Sequence, residues 1–193
     1  EEYTLVAVAD YVLKHTPGNT VSNLSSSRAL KDVTEAYGQQ YHAAAVGEVN
    51  VVAEMKRTHS VIGGEGNGGV IYPESHYGRD ALVGVGLFLS HYVAQSKKMT
   101  ELKSTYPQYF ISKNKMTLSP DMDVDKILEG LKERYATEKV TDIDGVKIDF
   151  AQGWVHLRKS NTEPIIRIYS EAKDEAAANQ LAEEVIAAAK STL

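Results

Sequence analysis

Leu5, Val8, Ala9, Val12 and Leu13 recur at the spacing that keeps one face of a helix apolar, and Thr16-Pro17-Gly18 then ends the pattern. A short apolar run over residues 20–24 predicts a strand. The alternation continues with a helix over residues 27–37 ended by Gly38, a strand over 40–45, a helix over 50–57 and a strand over 60–63. After a glycine-rich stretch, a long helix is expected over 79–96, with Asp80 near its start and Lys97-Lys98 at its end, as the helix dipole prefers. Helices alternating with short strands predict an α/β domain with a mostly parallel sheet.

Near Pro107 the pattern changes, and the polar residues 113–120 read as a linker or hinge. Beyond it a helix is expected over 124–136. Extended segments over 140–143 and 146–150 flank Asp144-Gly145 as a hairpin, and those over 154–157 and 165–169 flank a polar loop. A closing helix over 174–189 carries an apolar stripe of Ala178, Leu181, Ala182, Val185, Ile186 and Ala189. Helix, strand meander and helix predict a small α+β domain with an antiparallel sheet.

The chain has 193 residues, of which 42% are hydrophobic, enough for packed cores. Its net charge of −5 argues against bulk attraction to nucleic acid, so an anion must be held by a local cluster, which favours a small phosphorylated ligand. There is no cysteine, which excludes disulfides and thiolate chemistry and fits a reducing compartment; a cytoplasmic location is expected. The longest apolar run, residues 81–89, is too short to span a bilayer and is interrupted by Gly84 and Gly86, so no membrane partner is expected. The chain opens on Glu1-Glu2 and enters a helix at once, as a piece cut from something longer would.

The most informative polar stretch is Arg158-Lys159-Ser160-Asn161-Thr162-Glu163-Pro164, between two strand-like segments. Five consecutive side chains there can donate hydrogen bonds. The Arg158 fork matches phosphate or carboxylate oxygens two at a time, Ser160 and Thr162 offer hydroxyls, and turning backbone can converge its N–H groups on an anion. The same residues also build ordinary side-chain-capped hairpin turns.

Gly63-Gly64-Glu65-Gly66-Asn67-Gly68-Gly69 is the second unusual stretch. Gly64, Gly66 and Gly69 satisfy G-x-G-x-x-G, but Val70-Ile71-Tyr72-Pro73 follows where a dinucleotide site needs a helix, and no Lys-Ser or Lys-Thr pair makes a P-loop. What remains is a flexible loop at a strand end, where open α/β sheets bind ligands. Its Glu65 and Asn67 suit vicinal hydroxyls such as those of a sugar, with a solvent loop as the alternative.

Other chemistries find little support. Asp121, Asp123 and Asp125 alternate, but Lys126 and Lys132 stand where an EF-hand needs Gly and Glu, and acids at a helix start are ordinary capping. The six histidines form no zinc motif. Ser75-His76 and Ser25-Ser26-Ser27 show no nucleophile elbow, and Glu48 reads as a first-turn acid, with a ligand group as the alternative. No catalytic or metal residue is therefore expected in this chain.

Taken in order, Ala45-Val46-Gly47-Glu48, Gly64-Glu65-Gly66-Asn67-Gly68-Gly69-Val70-Ile71, Gly78-Arg79-Asp80, Asp144-Gly145-Val146-Lys147 and the Arg158 to Pro164 loop with Arg167 resemble the C-terminal half of an α-D-phosphohexomutase, the phosphoglucomutase/phosphomannomutase superfamily. The resemblance covers nearly the whole chain. It implies that residues 1–115 are the family's domain 3 and residues 120–193 its domain 4, with a fold similar to TATA-binding-protein-like modules.

The resemblance also implies chemistry. In such enzymes a phosphoserine passes its phosphoryl group to a hexose phosphate, and a hexose 1,6-bisphosphate turns around before the second transfer. Arg158, Ser160, Asn161, Thr162 and Arg167 would bind the phosphate not being transferred, and Glu65, Asn67 and Gly69 the sugar. The family's usual sugar loop has Ser and His where Asn67 and Gly69 stand. Its phosphoserine loop, T-A-S-H-N-P, and its Mg²⁺ loop, D-G-D-x-D-R, do not occur here. The intact enzyme would need Mg²⁺ and the missing N-terminal domains as partners, and the fragment alone would be inactive. A phosphoglucosamine mutase, or a non-catalytic phosphosugar-binding module, are the alternatives.

Overall fold

The computed structural model describes residues 2–119, 122–160 and 162–191. The chain divides into two units, Glu1–Gln108 and Tyr109–Leu193. The first contains α1 (Glu2–His15), β1 (Thr20–Asn23), α2 (Ala29–Ala36), β2 (Tyr41–Ala44), α3 (Glu48–Thr58), β3 (Ile62–Glu65), β4 (Gly69–Ile71), α4 (Ala81–Gln95) and α5 (Met99–Ser104). Its sheet runs β2-β1-β3-β4, parallel except for the β3–β4 hairpin. Every residue of β1 and β3 is buried, the continuous burial of strands covered on both faces. Val21, Ala44, Val51, Met55 and Ile71 form one core cluster, and Leu5, Val8, Ala9, Val12 and Leu13 of α1 are buried as their spacing predicts.

The glycine-rich stretch is not one flexible loop. Gly63, Gly64 and Glu65 complete β3, Gly69 begins β4, and only residues 66–68 turn. The sequence signal fails because glycine carries no β propensity. It is needed here for contact: a Cβ on Gly63 would lie 2.6 Å from Met55 Sδ and 2.8 Å from the Val21 carbonyl oxygen. Asp80 caps α4, its Oδ1 accepting from the N–H groups of Leu82 and Val83 at 2.8 and 3.0 Å.

The second unit contains β5 (Phe110–Thr117), α6 (Val124–Arg134), β6 (Lys139–Thr141), β7 (Val146–Asp149), β8 (Gly153–Lys159), β9 (Ile165–Ala172) and α7 (Glu175–Lys190). Its five strands form one antiparallel sheet in the order β5-β9-β8-β7-β6. Ile127 and Leu131 of α6 and Leu181, Val185 and Ala189 of α7 share a core with Val155, Leu157, Ile166 and Ile168. The two fold classes are those the sequence predicts.

The linker is a correction. Residues 113–117 lie within β5, paired to β9 as far as Thr117↔Ile165. The division between units falls at Gln108, so residues 109–115 belong to the second unit. Lys113, Lys115 and Thr117 are exposed while Ser112 and Met116 are buried. This is an edge strand whose polar positions guard it from pairing, which also masks its alternation. Asp123 caps α6, accepting from the N–H groups of Asp125 and Lys126; Asp121 lies outside the described residues. No described helix is long and apolar enough to cross a membrane.

Candidate functional site

At the carboxyl ends of the parallel strands, where open α/β sheets offer a crevice, the first unit gathers Asn23 from the end of β1, Gly47 after β2 and Glu65 from the end of β3. Glu65 is only 5% exposed. Its Oε1 accepts from Asn23 Nδ2 at 2.9 Å and from the Gly47 N–H at 3.2 Å, and its Oε2 from Arg79 Nη1 at 3.4 Å. Gly47 has φ +120°, a conformation L side chains rarely adopt.

Arg79 joins a second carboxylate to the first. Its backbone N–H donates to Glu48 Oε1 at 2.9 Å and its Nε to Glu48 Oε2 at 2.8 Å. The Arg79 backbone N–H and then its guanidinium hold the Glu48 carboxyl below the ordinary range. Asp80 is likewise lowered, first by the Val83 N–H and then by His76, whose Nε2 is 3.1 Å from Asp80 Oδ2. The Arg79 stem passes over Gly69, where a Cβ would lie 2.6 Å from Cδ.

Asn67 stands apart. It is exposed at the hairpin tip, and its Oδ1 accepts from the Gly69 N–H at 3.0 Å, closing the turn. Ser26 ties this turn to β1: its Oγ accepts from the Gly66 N–H at 2.9 Å and donates to Asn23 Oδ1 at 3.0 Å. The structure thus brings Glu65 together with Arg79, Asn23, Gly47 and Glu48, of which the sequence offered a ligand role only to Glu48, and only as the alternative to a first-turn acid. Applying the strand-end rule to each predicted strand, rather than to the glycine motif alone, points to Asn23 and Gly47.

In the second unit Arg158 lies near the end of β8 and Arg167 near the start of β9, directly paired in register. Ser160, 6% exposed, extends the ladder by donating its N–H to the Ile165 carbonyl at 3.0 Å. Its Oγ accepts from the Thr162 N–H at 3.4 Å and lies 3.5 Å from Thr162 Oγ1. Arg167 Nη2 donates to Glu163 Oε2 at 3.2 Å. Arg158 Nε is buried and has no hydrogen-bond partner among the described residues. Asn161 lies outside the described residues.

A buried N–H without an acceptor is rare in native structures, and like charges facing across a strand pair are unfavourable. A dianion with several acceptor oxygens would resolve both features. The neighbouring His156 supplies no charge. Burial pushes its imidazole down to about 4, and its neutral Nε2–H donates to the Asp144 carbonyl at 2.7 Å. Among the described residues no group of three His, Asp or Glu side chains fits a metal ion.

Two family models match this chain. "Phosphoglucomutase/phosphomannomutase, alpha/beta/alpha domain III" matches residues 1–109, and "Phosphoglucomutase/phosphomannomutase, C-terminal domain" matches residues 113–188. The phosphoglucomutase/phosphomannomutase of Thermococcus kodakarensis is 37% identical over 183 residues, covering 93% of this chain and 40% of that protein. The phosphoglucosamine/phosphogalactosamine mutase of Sulfurisphaera tokodaii is 36% identical over 167 residues, covering 86% of this chain and 37% of that protein. The solved structure of a phosphoglucomutase/phosphomannomutase family protein from Burkholderia thailandensis superposes with a TM-score of 0.81 at 22% identity, covering 99% of this chain and 41% of that one. The chain spans about two fifths of the length of these proteins.

Proposed function

Because this chain belongs to the phosphoglucomutase/phosphomannomutase family, carrying its domain III and its C-terminal domain, we propose that it is the substrate-binding part of a phosphohexomutase. In the whole protein a phosphoryl group moves between positions 1 and 6 of a hexose through a phosphoserine and a bisphosphorylated sugar. That serine lies outside this sequence, so the chain alone binds but does not turn over substrate.

The carrying observation is the buried, unpartnered Arg158 Nε opposite Arg167 and beside Ser160 and Thr162. Arg158, Arg167, Ser160, Asn161 and Thr162 hold the phosphate that is not transferred. Glu65, held by Asn23 and Gly47, and the hairpin with Asn67 and Gly69 take the sugar hydroxyls. Binding energy from these groups, remote from the reacting phosphate, orients the reacting centre. The family's Mg²⁺ finds no fitting set of three ligands among the described residues, and no step through it is assigned to this chain.

A second reading is an amino sugar phosphate as substrate, favoured by the printed name of the Sulfurisphaera tokodaii relative. Titrating the isotope-labelled chain with glucose 6-phosphate, glucosamine 6-phosphate and inorganic phosphate, followed by NMR, tests both. The Arg158 side-chain resonance should shift with all three, and a tighter fit for the amino sugar would favour the second reading. An Arg158 resonance that moves with none of them defeats the proposal.

A further inference from the structure

The row of cations that contains Arg158 and Arg167 continues onto β5. Arg158 pairs directly with Arg167, and Arg167 in turn pairs directly with Lys115. Residues opposed in a sheet put their side chains on one face, about 5 Å apart at Cβ. Three cations therefore stand in line on the consecutive strands β8, β9 and β5.

Their face is the one away from the helices. Leu157, Ile166, Ile168 and Met116, the neighbours of these cations along their own strands, are buried in the core with α6 and α7. On the same side Ser112 Oγ donates to Asn179 Oδ1 of α7 at 2.6 Å. Side chains alternate along a strand, so Arg158, Arg167 and Lys115 project from the opposite side. Lys115 is exposed, and among the described residues no carboxylate pairs with it; Glu163 is engaged by Arg167 at 3.2 Å.

Guarding an edge accounts for a lysine on β5 but not for its place in this row. Lys113, two residues away on the same face, is also exposed and guards the edge as well, yet it opposes Tyr169, with Nζ 5.7 Å from the ring centroid, a favourable cation–π placement. Lys115 opposes an arginine, and like charges directly opposite destabilise a sheet. A local rule broken in this way marks a functional site, where a ligand offsets the repulsion.

We propose that Lys115 is a further phosphate-binding residue, the third cation of the row begun by Arg158 and Arg167. This rests on the proposed function, which puts the phosphate that is not transferred at Arg158 and Arg167 and gives β5 no part. The two arginines meet phosphate oxygens through planar forks of fixed direction. The Lys115 ammonium is a point charge on a flexible four-carbon stem, long enough to reach an anion lying over its neighbour Arg167. From the open edge of the sheet it attracts the phosphate on approach and holds it once seated.

Calorimetric titration of this chain with inorganic phosphate and with glucose 6-phosphate, at low salt and at about 1 M salt, tests the assignment. Lys115→Gln keeps a polar side chain on the edge and should weaken both ligands about three- to tenfold at low salt, the scale of a charge-assisted contact made in solvent, with the melting temperature unchanged or higher. The loss should shrink at high salt, where exposed charges are screened over about 3 Å. Lys113→Gln removes the same charge one row away and should cost less than about twofold, and Lys115→Arg should stay within about twofold of the unaltered chain. Equal losses for Lys113→Gln and Lys115→Gln would reduce the effect to the general field of the face and overturn the proposal, as would a Lys115→Arg that binds no better than Lys115→Gln. Unchanged affinity in Lys115→Gln beside a weakened one in Arg158→Ala also overturns it, and leaves the proposed function standing. If Arg158→Ala and Lys115→Gln are both without effect, the phosphate site itself is wrong and Lys115 falls with it.

Discussion

Arg158 and Arg167 face each other across adjacent antiparallel strands, and among the described residues only Arg167 has a counter-charge. Arg167 is offset by Glu163 at 3.2 Å, whereas Arg158 Nε is buried without an acceptor. A pair of guanidinium groups at directly opposed positions is unfavourable for a sheet. Under the proposed function it becomes useful, because a bound phosphate would bring acceptor oxygens to both.

Arg158→Ala should therefore separate binding from stability. Phosphate-ligand affinity falls by about 1.5 to 3 kcal/mol, the scale of a charge-assisted hydrogen bond. The melting temperature stays the same or rises, because a like-charge pair and an unsatisfied donor are both removed. Calorimetric titration with glucose 6-phosphate beside a thermal melt reads both quantities, and unchanged affinity refutes the assignment.

Glu65 is more deeply tied into the fold than a ligand group on an open loop. Glu65→Ala leaves Asn23 Nδ2 and the Gly47 N–H without their acceptor and should cost about 1 to 3 kcal/mol of stability, the penalty for orphaned buried donors. Its sugar role is read from a ratio: affinity for a hexose phosphate should fall more than affinity for inorganic phosphate. Equal losses would leave Glu65 a purely structural residue.

Tyr106 gives a test away from both loops. Its hydroxyl donates to Asp10 Oδ2 at 3.1 Å and lies 2.7 Å from His91 Nε2, while Tyr37 donates to Asp10 Oδ1 at 2.7 Å. With the Tyr106 proton committed to Asp10, His91 donates from Nε2 and is neutral, in line with burial lowering its pKa. Tyr106→Phe removes a donor to Asp10 and the acceptor of His91, and should lower stability by about 1 to 3 kcal/mol in urea unfolding. A loss below about 0.5 kcal/mol, the size of an ordinary surface change, would show that solvent replaces the hydroxyl.

What the sequence made legible follows from periodicity. Ala178 to Ala189 announced its helix because burial there repeats every turn, and Leu5 to Leu13 did so through apolar residues at helical spacing, although Val6 and Ala7 are buried there as well. β5 stayed hidden because Lys113 and Lys115 occupy the exposed positions of an edge strand, so that polar composition outweighed a correct alternation. β4 and the end of β3 stayed hidden because glycines there serve close packing rather than propensity. At the site, Arg158, Ser160 and Thr162 were legible as adjacent donors. Arg79 was not, since its partners Glu48 and Glu65 are 31 and 14 residues away in sequence and meet only through the parallel sheet.

His156 makes the stability of the second unit depend on acid. In the unfolded chain its imidazole takes up a proton near its ordinary value of about 6.5; in the folded chain burial delays this to about 4. Between those values the unfolded state binds more protons, so stability rises with pH across the window. The contribution is fully present above about 6.5, is lost progressively as pH falls, and ends below about 4. Integrated over the window it amounts to about 3 kcal/mol at most. Carboxylates also titrate at the acidic end, so the measurement is a difference: urea unfolding at pH 7 and pH 4.5, for this chain and for His156→Gln. The variant loses the hydrogen bond to the Asp144 carbonyl only in part, since its amide can donate. It should start less stable yet lose less between the two pH values. If both proteins lose the same amount, the buried imidazole is not what makes the unit acid-sensitive.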